Sequence, residues 1–146
     1  MKSIGMASDH AGYTLKQQLK LYLESKGYQI KDFGSYSVES SDYPDFAHSL
    51  AYSVEKGECD LGITLCGSGN GINMTANKHE GIRSAICWKP LVAKLAKLHN
   101  NANVCALPAR FIDYDLAVDI IEMFMNTEFE EGGRHERRIK KIPIKK

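Results

Sequence analysis

The chain has 146 residues, enough for one domain with a buried hydrophobic core. Hydrophobic residues make up 43% of it and charged residues 25%, a balance that excludes an intrinsically disordered chain. Lysine and arginine together number 19 and the acidic residues 18, so the net charge of +1 provides no general attraction to nucleic acid or to a membrane surface.

The first half of the chain alternates apolar runs with amphipathic segments. The run Lys2–Ser8 predicts a strand and not a signal peptide, because it is short and polar residues follow it directly. Apolar residues at helical spacing predict a helix over Tyr13–Lys26, and Tyr28–Phe33 is the second predicted strand. A second helix is predicted to begin at Asp42-Tyr43-Pro44, and Asp60–Cys66 is a third, buried strand.

The second half continues the alternation. Its predicted elements are, in order, a short helix ending near Lys78, the strand Gly81–Cys87, a helix beginning at Pro90, the strand Asn103–Leu107 and the helix Tyr114–Met125. The helix that begins at Pro90 is expected to bury Leu91, Leu95 and Leu98. Residues 130–146 are expected to form a basic, irregular tail, and residues 1–146 a single domain.

Alternating strands and helices predict an α/β fold, a Rossmann-like three-layer sandwich with a five-stranded parallel sheet. Ligands of such sheets bind at the carboxyl ends of the strands. This rule selects the residues that follow each predicted strand: Asp9, His10, the stretch from Ser35 to Tyr43, the segment 66–71, Trp88, Lys89 and Arg110.

The segment after the third strand, Gly67-Ser68-Gly69-Asn70-Gly71, has glycine at alternate positions. It lacks the Lys-Ser/Thr of a P-loop, and its spacing and place differ from the dinucleotide-binding fingerprint. The remaining functional interpretation is a small cradle for an anion, which could be a phosphate or a negatively charged intermediate. The alternative is a tight turn that binds no ligand.

Cys66 lies directly before this segment, where apolar packing should end, a setting typical of reactive cysteines. Cys59, Cys87 and Cys105 are expected to be small buried residues. The four cysteines contain no C-x-x-C pair, and no stretch approaches the roughly 20 apolar residues of a transmembrane helix. A reducing, cytoplasmic location is therefore expected.

Three further groups each allow a functional and a structural interpretation. Asp9 could bind a ligand or only cap the first helix, and a lone histidine such as His99 is more often structural than catalytic. The tail arginines, Arg134 and Arg138 among them, could form a solvated face or reach another subunit past Gly132-Gly133. Cys66 as a base, the glycine segment, an imidazole and several arginines together fit proton abstraction beside the carbonyl of a phosphorylated substrate.

Longer motifs occur in one order along nearly the whole chain: S-D-H-A-G-Y at 8–13, D-Y-P-D-F-A at 42–47, C-G-S-G-N-G-I at 66–72, A-N-K at 76–78, G-I-R at 81–83, H-N-N-A-N-V at 99–104 and E-G-G-R-H-E-R-R at 131–138. On these motifs the chain resembles the type B ribose-5-phosphate isomerases, within a wider group that includes galactose-6-phosphate isomerase subunits. The resemblance implies a homodimer, sometimes a tetramer, that interconverts ribose 5-phosphate and ribulose 5-phosphate without metal or cofactor.

The resemblance also implies roles for single residues. Cys66 matches the general base, His99 the acid that opens the sugar ring, and Ser68 a further catalytic position in the loop that binds the enediolate. The matching substrate contacts are Asp9, His10, Tyr43, Gly67, Ser68, Gly69, Asn70, Gly71, Asn100, Arg110, Arg134 and Arg138, some of them expected from the neighbouring subunit.

Two departures from the family's pattern bear on specificity. Ile72 stands where one branch has a glutamate base, which assigns the chain to the cysteine branch, and Cys66 argues against the galactose-6-phosphate subunits. Asn70 replaces a small or aliphatic residue, so an isomerase of a six-carbon aldose phosphate, such as allose 6-phosphate, remains an alternative. The second alternative is a sugar-phosphate sensor without catalytic activity. The presence of Cys66 and His99 argues against it, because a sensor would need neither residue.

Overall fold

The structure, a computed structural model, describes residues 2–145. Its elements are β1 (Ser3–Ser8), a 3-10 turn (His10–Gly12), α1 (Tyr13–Ser25), β2 (Gln29–Asp32), α2 (Tyr43–Glu55), β3 (Leu61–Cys66), α3 (Asn70–Ala76), β4 (Ser84–Ile86), α4 (Pro90–Asn100), β5 (Val104–Pro108), α5 (Tyr114–Asn126) and α6 (Arg134–Ile139). The predicted α/β alternation is therefore confirmed.

The five strands form one parallel sheet in the order β2-β1-β3-β5-β4. β1 pairs with β2 on one side and with β3 on the other, so that Ile4 lies opposite both Ile30 and Leu61. The order of the sheet thus changes direction between β1 and β3. The carboxyl ends of these two strands, at Ser8 and Cys66, border the crevice in which sheets of this topology bind their ligands.

Helices cover both faces of the sheet, as the three-layer prediction required. The larger core lies beneath α1, α4 and α5 and includes Ile63 and Leu65 of β3. Cys66 belongs instead to a smaller core beneath α2 and α3, together with Ile72 and Ala106. All six residues of β3 are buried because the strand is central and covered on both sides.

Helix α4 begins at Pro90 as predicted, but the prediction of its buried face was wrong for Leu91 and Leu95, while Leu98 is partly buried. Leu91 and Leu95 are 61% and 37% exposed, and the buried side chains of this helix are Ala93, Ala96 and Lys97. The small alanines allow α4 to approach α5 closely, which places the leucines on its outer face.

The expectation of an irregular tail was also wrong, because residues 134–139 form α6 against α4. None of the residues of α6 is buried, so no apolar period in the sequence could indicate it. The Glu136 side chain accepts a hydrogen bond from the N–H of Gly132 at 2.7 Å, which stabilises the beginning of this helix. Within residues 2–145, no helix combines the length and the apolar character needed to cross a bilayer.

Candidate active site

Cys66 is the last residue of β3 and is only 4% exposed. Gly67 to Gly69 turn the chain into α3, so that Asn70 and Gly71 are helical and not part of the loop. Gly69 has a φ of 80°, a left-handed conformation that glycine adopts without steric cost. The N–H of Asn70 donates to Ser68 Oγ at 3.2 Å. The thiol therefore lies at the base of a turn whose Ser68 and Asn70 side chains are exposed.

Two side chains pack directly on the glycines of this turn. A Cβ atom at Gly71 would lie 2.4–2.6 Å from ring atoms of Tyr43, so the tyrosine ring rests against that glycine. A Cβ atom at Gly67 would lie 3.0–3.3 Å from the side chain of Arg110. The N–H of Arg110 also donates to the Gly67 carbonyl at 3.0 Å. The missing side chains thus admit a phenol ring and a guanidinium beside Cys66.

Asp9 and His10 continue this edge beyond β1. Asp9 Oδ1 accepts the N–H groups of Ala11 at 2.9 Å and of Gly12 at 3.2 Å, so the capping role is present. His10 Nδ1 accepts the N–H of Ser41 at 3.1 Å. A ring nitrogen that accepts a hydrogen bond carries no proton, so the neutral ring of His10 holds its hydrogen on Nε2, available to a ligand.

A buried lysine that sequence reasoning missed supports this edge. Lys16 is fully buried, and its Nζ donates to Asp32 at 2.5 Å and to the carbonyl of Ser35 at 2.7 Å. Burial lowers the pKa of Lys16, while the Asp32 carboxylate acts in the opposite direction. The sequence signal that could have indicated its burial is its position beside Leu15 and Leu19 in the apolar stripe of α1. Lys16 ties α1 to the loop that carries the hydrogen-bond donor to His10.

His99 and Asn100 lie at the opposite edge of the sheet. Because β4 and β5 are parallel, α4 must run from the carboxyl edge back to the amino edge, and its 11 residues span about 16 Å. His99 and Asn100 are its last residues, and the Asn103 carbonyl that follows accepts the N–H of Gly62, near the beginning of β3. Within one chain, His99 is therefore too far from Cys66 for proton transfer.

Helix α6 shares this amino edge. The rings of His99 and His135 are stacked, with centroids 4.2 Å apart and planes at 14°. An open cavity of about 400 Å³ is bordered by Leu98, His99, Glu130, Glu131, Gly133, Arg134 and His135. Desolvation lowers the pKa of His135, and the neighbouring His99, Arg134 and Arg138 lower it further. The guanidinium groups of Arg134 and Arg138 beside this ring are suited to bind a phosphate.

The predicted site residues thus form two groups in one chain. The carboxyl edge holds the thiol, the glycine turn, Asp9, His10, Tyr43 and Arg110, whereas the amino edge holds His99, Asn100, Arg134 and Arg138. Cys59, Cys87 and Cys105 are 1%, 0% and 0% exposed, as predicted for structural thiols. Among the described residues, no three His, Cys, Asp or Glu side chains form a group that could hold a metal ion.

Comparison with known proteins gives concordant matches over nearly the whole chain. The family described as ribose/galactose isomerase matches residues 4–142. Ribose-5-phosphate isomerase B of Escherichia coli is 39% identical over 142 residues, 97% of this chain and 95% of that protein. A ribose 5-phosphate isomerase structure from Thermotoga maritima has a TM-score of 0.94 at 50% identity, covering 97% of both chains. Ribose-5-phosphate isomerase B from Mycoplasma genitalium, solved with bound ribulose-5-phosphate, has a TM-score of 0.91 at 43% identity, covering 96% of this chain and 93% of that one.

Proposed function

The chain belongs to the ribose/galactose isomerase family, and we propose that it is an aldose–ketose isomerase that interconverts ribose 5-phosphate and ribulose 5-phosphate. Relatives that are named ribose-5-phosphate isomerase B and match nearly the full length support the substrate. The observation that carries the chemistry is the place of Cys66, at the carboxyl end of β3 and against a glycine turn.

In the proposed reaction, the Cys66 thiolate removes the proton from C2 of the open-chain aldose. The electron pair moves onto the carbonyl oxygen and gives an enediolate, which N–H groups of the glycine turn stabilise. The Ser68 hydroxyl transfers a proton between the oxygens on C1 and C2. Cys66 then returns its proton to C1, which completes the ketose with no net gain or loss of atoms.

The sugar ring must open before this proton transfer, and we assign that step to His99 of a second copy of the chain. The distance between the two edges supports this assignment, because His99 and Cys66 of one chain cannot meet. The exposed Leu91 and Leu95 of α4 offer an apolar surface for association. In the proposed homodimer, each site combines the carboxyl edge of one chain with the amino edge of its partner, including Asn100, Arg134 and Arg138 for the substrate.

Mixing two inactive variants tests this arrangement. Cys66→Ala and His99→Ala chains are dissociated, mixed in equal amounts and reassociated. About half of the dimers are then mixed, each with one native site, so that about one quarter of the wild-type activity should return. A mixture of Cys66→Ala with Cys66→Ser is the matched control and should stay inactive. Failure of the first mixture, with mixed dimers demonstrated, would refute the shared site.

Turnover of five- and six-carbon aldose phosphates by the unmodified protein tests the choice of substrate. We expect ribose 5-phosphate to be preferred, and a higher kcat/KM for allose 6-phosphate would overturn that choice. The four unpaired cysteines support a reducing compartment, and we propose the cytoplasm.

A further inference from the structure

Four hydrogen bonds join the segment before β4 to the segment before β5. The Arg83 N–H donates to Asn103 Oδ1 at 2.8 Å, and Asn103 Nδ2 donates to the Gly81 carbonyl at 2.8 Å. The Asn103 N–H donates back to the Arg83 carbonyl at 3.0 Å. Finally, Arg83 Nε donates to the carbonyl of Asn101 at 2.8 Å. These bonds connect the G-I-R and H-N-N-A-N-V motifs. Arg83 belongs to the first motif, and the proposed reaction assigns it no role.

The Arg83 guanidinium is in an unusual electrostatic position. The residue is partly buried, and desolvation lowers its pKa. Among residues 2–145, no carboxylate forms a salt bridge with it. Moving a charge out of water without an opposite charge is unfavourable. The hydrogen bond from its Nε to the Asn101 carbonyl therefore indicates what the side chain does.

The carbonyl that accepts the Arg83 hydrogen bond belongs to Asn101, the residue that caps the C-terminus of α4. Asn101 has a φ of 46°, and its N–H donates to the Lys97 carbonyl at 3.0 Å, while the next N–H, from Ala102, donates to Ala96 at 3.0 Å. His99 and Asn100 are the two residues directly before this turn, and both are exposed. The exposed end of α4 is thus fixed to the sheet through Arg83 and Asn103.

We infer that Arg83 is a positioning residue: through the Asn101 carbonyl it sets where the end of α4 presents His99 and Asn100 to the partner's Cys66 site. This inference rests on the proposed function and on the shared site. Arg83 therefore affects the reaction at the partner's Cys66, because His99 and Asn100 contribute to the site of the neighbouring chain. Misplacing a catalytic group by about 1 Å can cost roughly 10²-fold in rate.

Two substitutions separate positioning from a direct contact between the guanidinium and the substrate phosphate. In Arg83→Gln, the side-chain amide nitrogen can occupy the place of Nε, so the hydrogen bond to Asn101 is kept and the charge is lost. In Arg83→Met, a methyl group occupies that place, so the bond is lost as well. We expect Arg83→Gln to retain kcat/KM within about threefold and Arg83→Met to lose roughly 10- to 100-fold. Equal losses in both variants would overturn the inference.

Asn101→Gly is the control, because glycine accepts the left-handed backbone and leaves the carbonyl in place. It should keep nearly full activity. Thermal unfolding establishes that each variant is folded. If Arg83→Met does not fold, Asn103→Asp tests the same connection, because it keeps the acceptor for the Arg83 N–H and loses the donor to Gly81. It should lower kcat/KM about 10-fold, and an unchanged value would count against the inference.

Mixed dimers test the direction of the effect. Arg83→Met mixed with Cys66→Ala should recover about one quarter of the activity, since one site then combines a native carboxyl edge with a native amino edge. Arg83→Met mixed with His99→Ala should recover none beyond the residual activity of Arg83→Met. The opposite pattern overturns the role of Arg83 while the Cys66→Ala and His99→Ala mixture still succeeds. Failure of that reference mixture points instead to the shared site.

Discussion

Gly71→Ala should impair the reaction while leaving the fold almost unchanged. The new Cβ would lie 2.4–2.6 Å from atoms of the Tyr43 ring, where ordinary contact begins at 3.4 Å, so the ring must move by about 1 Å. Gly71 is helical, and alanine favours a helix by about 1 kcal/mol over glycine. Overpacking costs about 1–3 kcal/mol, so the gain in helix propensity offsets part of it and the net loss in the free energy of unfolding should be about 0–2 kcal/mol. The displaced ring should lower kcat/KM roughly 10- to 100-fold.

Steady-state kinetics with ribose 5-phosphate and thermal unfolding measure these two effects separately. A double-mutant cycle with Tyr43→Ala isolates the cause. If the damage acts through the ring, Gly71→Ala should cost little in the Tyr43→Ala background, because no ring remains to be displaced. Additive losses would refute this reasoning and show that Gly71 is required for another reason, such as close approach of the substrate to the backbone.

Three further perturbations test other parts of the molecule. Cys66→Ala should lower kcat about 10²- to 10⁴-fold in the isomerase assay without unfolding the chain. Cys66→Ser should be little more active, because a hydroxyl is a far weaker acid than a thiol. Near-normal turnover by Cys66→Ala would exclude the thiol as base. Lys16→Met should reduce the free energy of unfolding by about 1–3 kcal/mol in urea titrations, because the Asp32 carboxylate loses its buried partner and keeps only the more distant Lys20, at 3.9 Å, as an ion-pair partner; an unchanged free energy of unfolding would contradict this. The Gly81 N–H, and secondarily a neighbouring histidine, lower the pKa of Glu55 from its ordinary value of 4.5, so its stabilisation is complete above that value and is lost as the pH falls through the lowered pKa. Glu55→Gln should therefore lower the unfolding temperature at pH 7, and the gap between the variant and the unmodified protein should narrow below pH 4.5. A gap that does not change with pH would contradict a lowered pKa of Glu55.

The sequence predicted the layers of the fold well because hydrophobic periodicity and strand alternation are local signals. The place of Cys66 followed from them, since residues after parallel strands share one edge. The outward leucines of α4 could not be predicted, because that helix packs through Ala93 and Ala96 and its larger apolar residues lie on the outer face. Helix α6 was missed because it buries no residue. Lys16 was missed because a lysine in an amphipathic helix is ordinarily solvated.

The placement of His99 at the edge opposite Cys66 has a consequence for genetics. If each site draws on both chains, a subunit defective at one edge spoils only one of the two sites in a dimer with a normal subunit. A subunit defective at both edges spoils both, so its co-expression with the normal gene would interfere dominantly. Dilution that separates the dimer should also abolish activity, because a single chain carries both edges but cannot bring its own two edges together into one site.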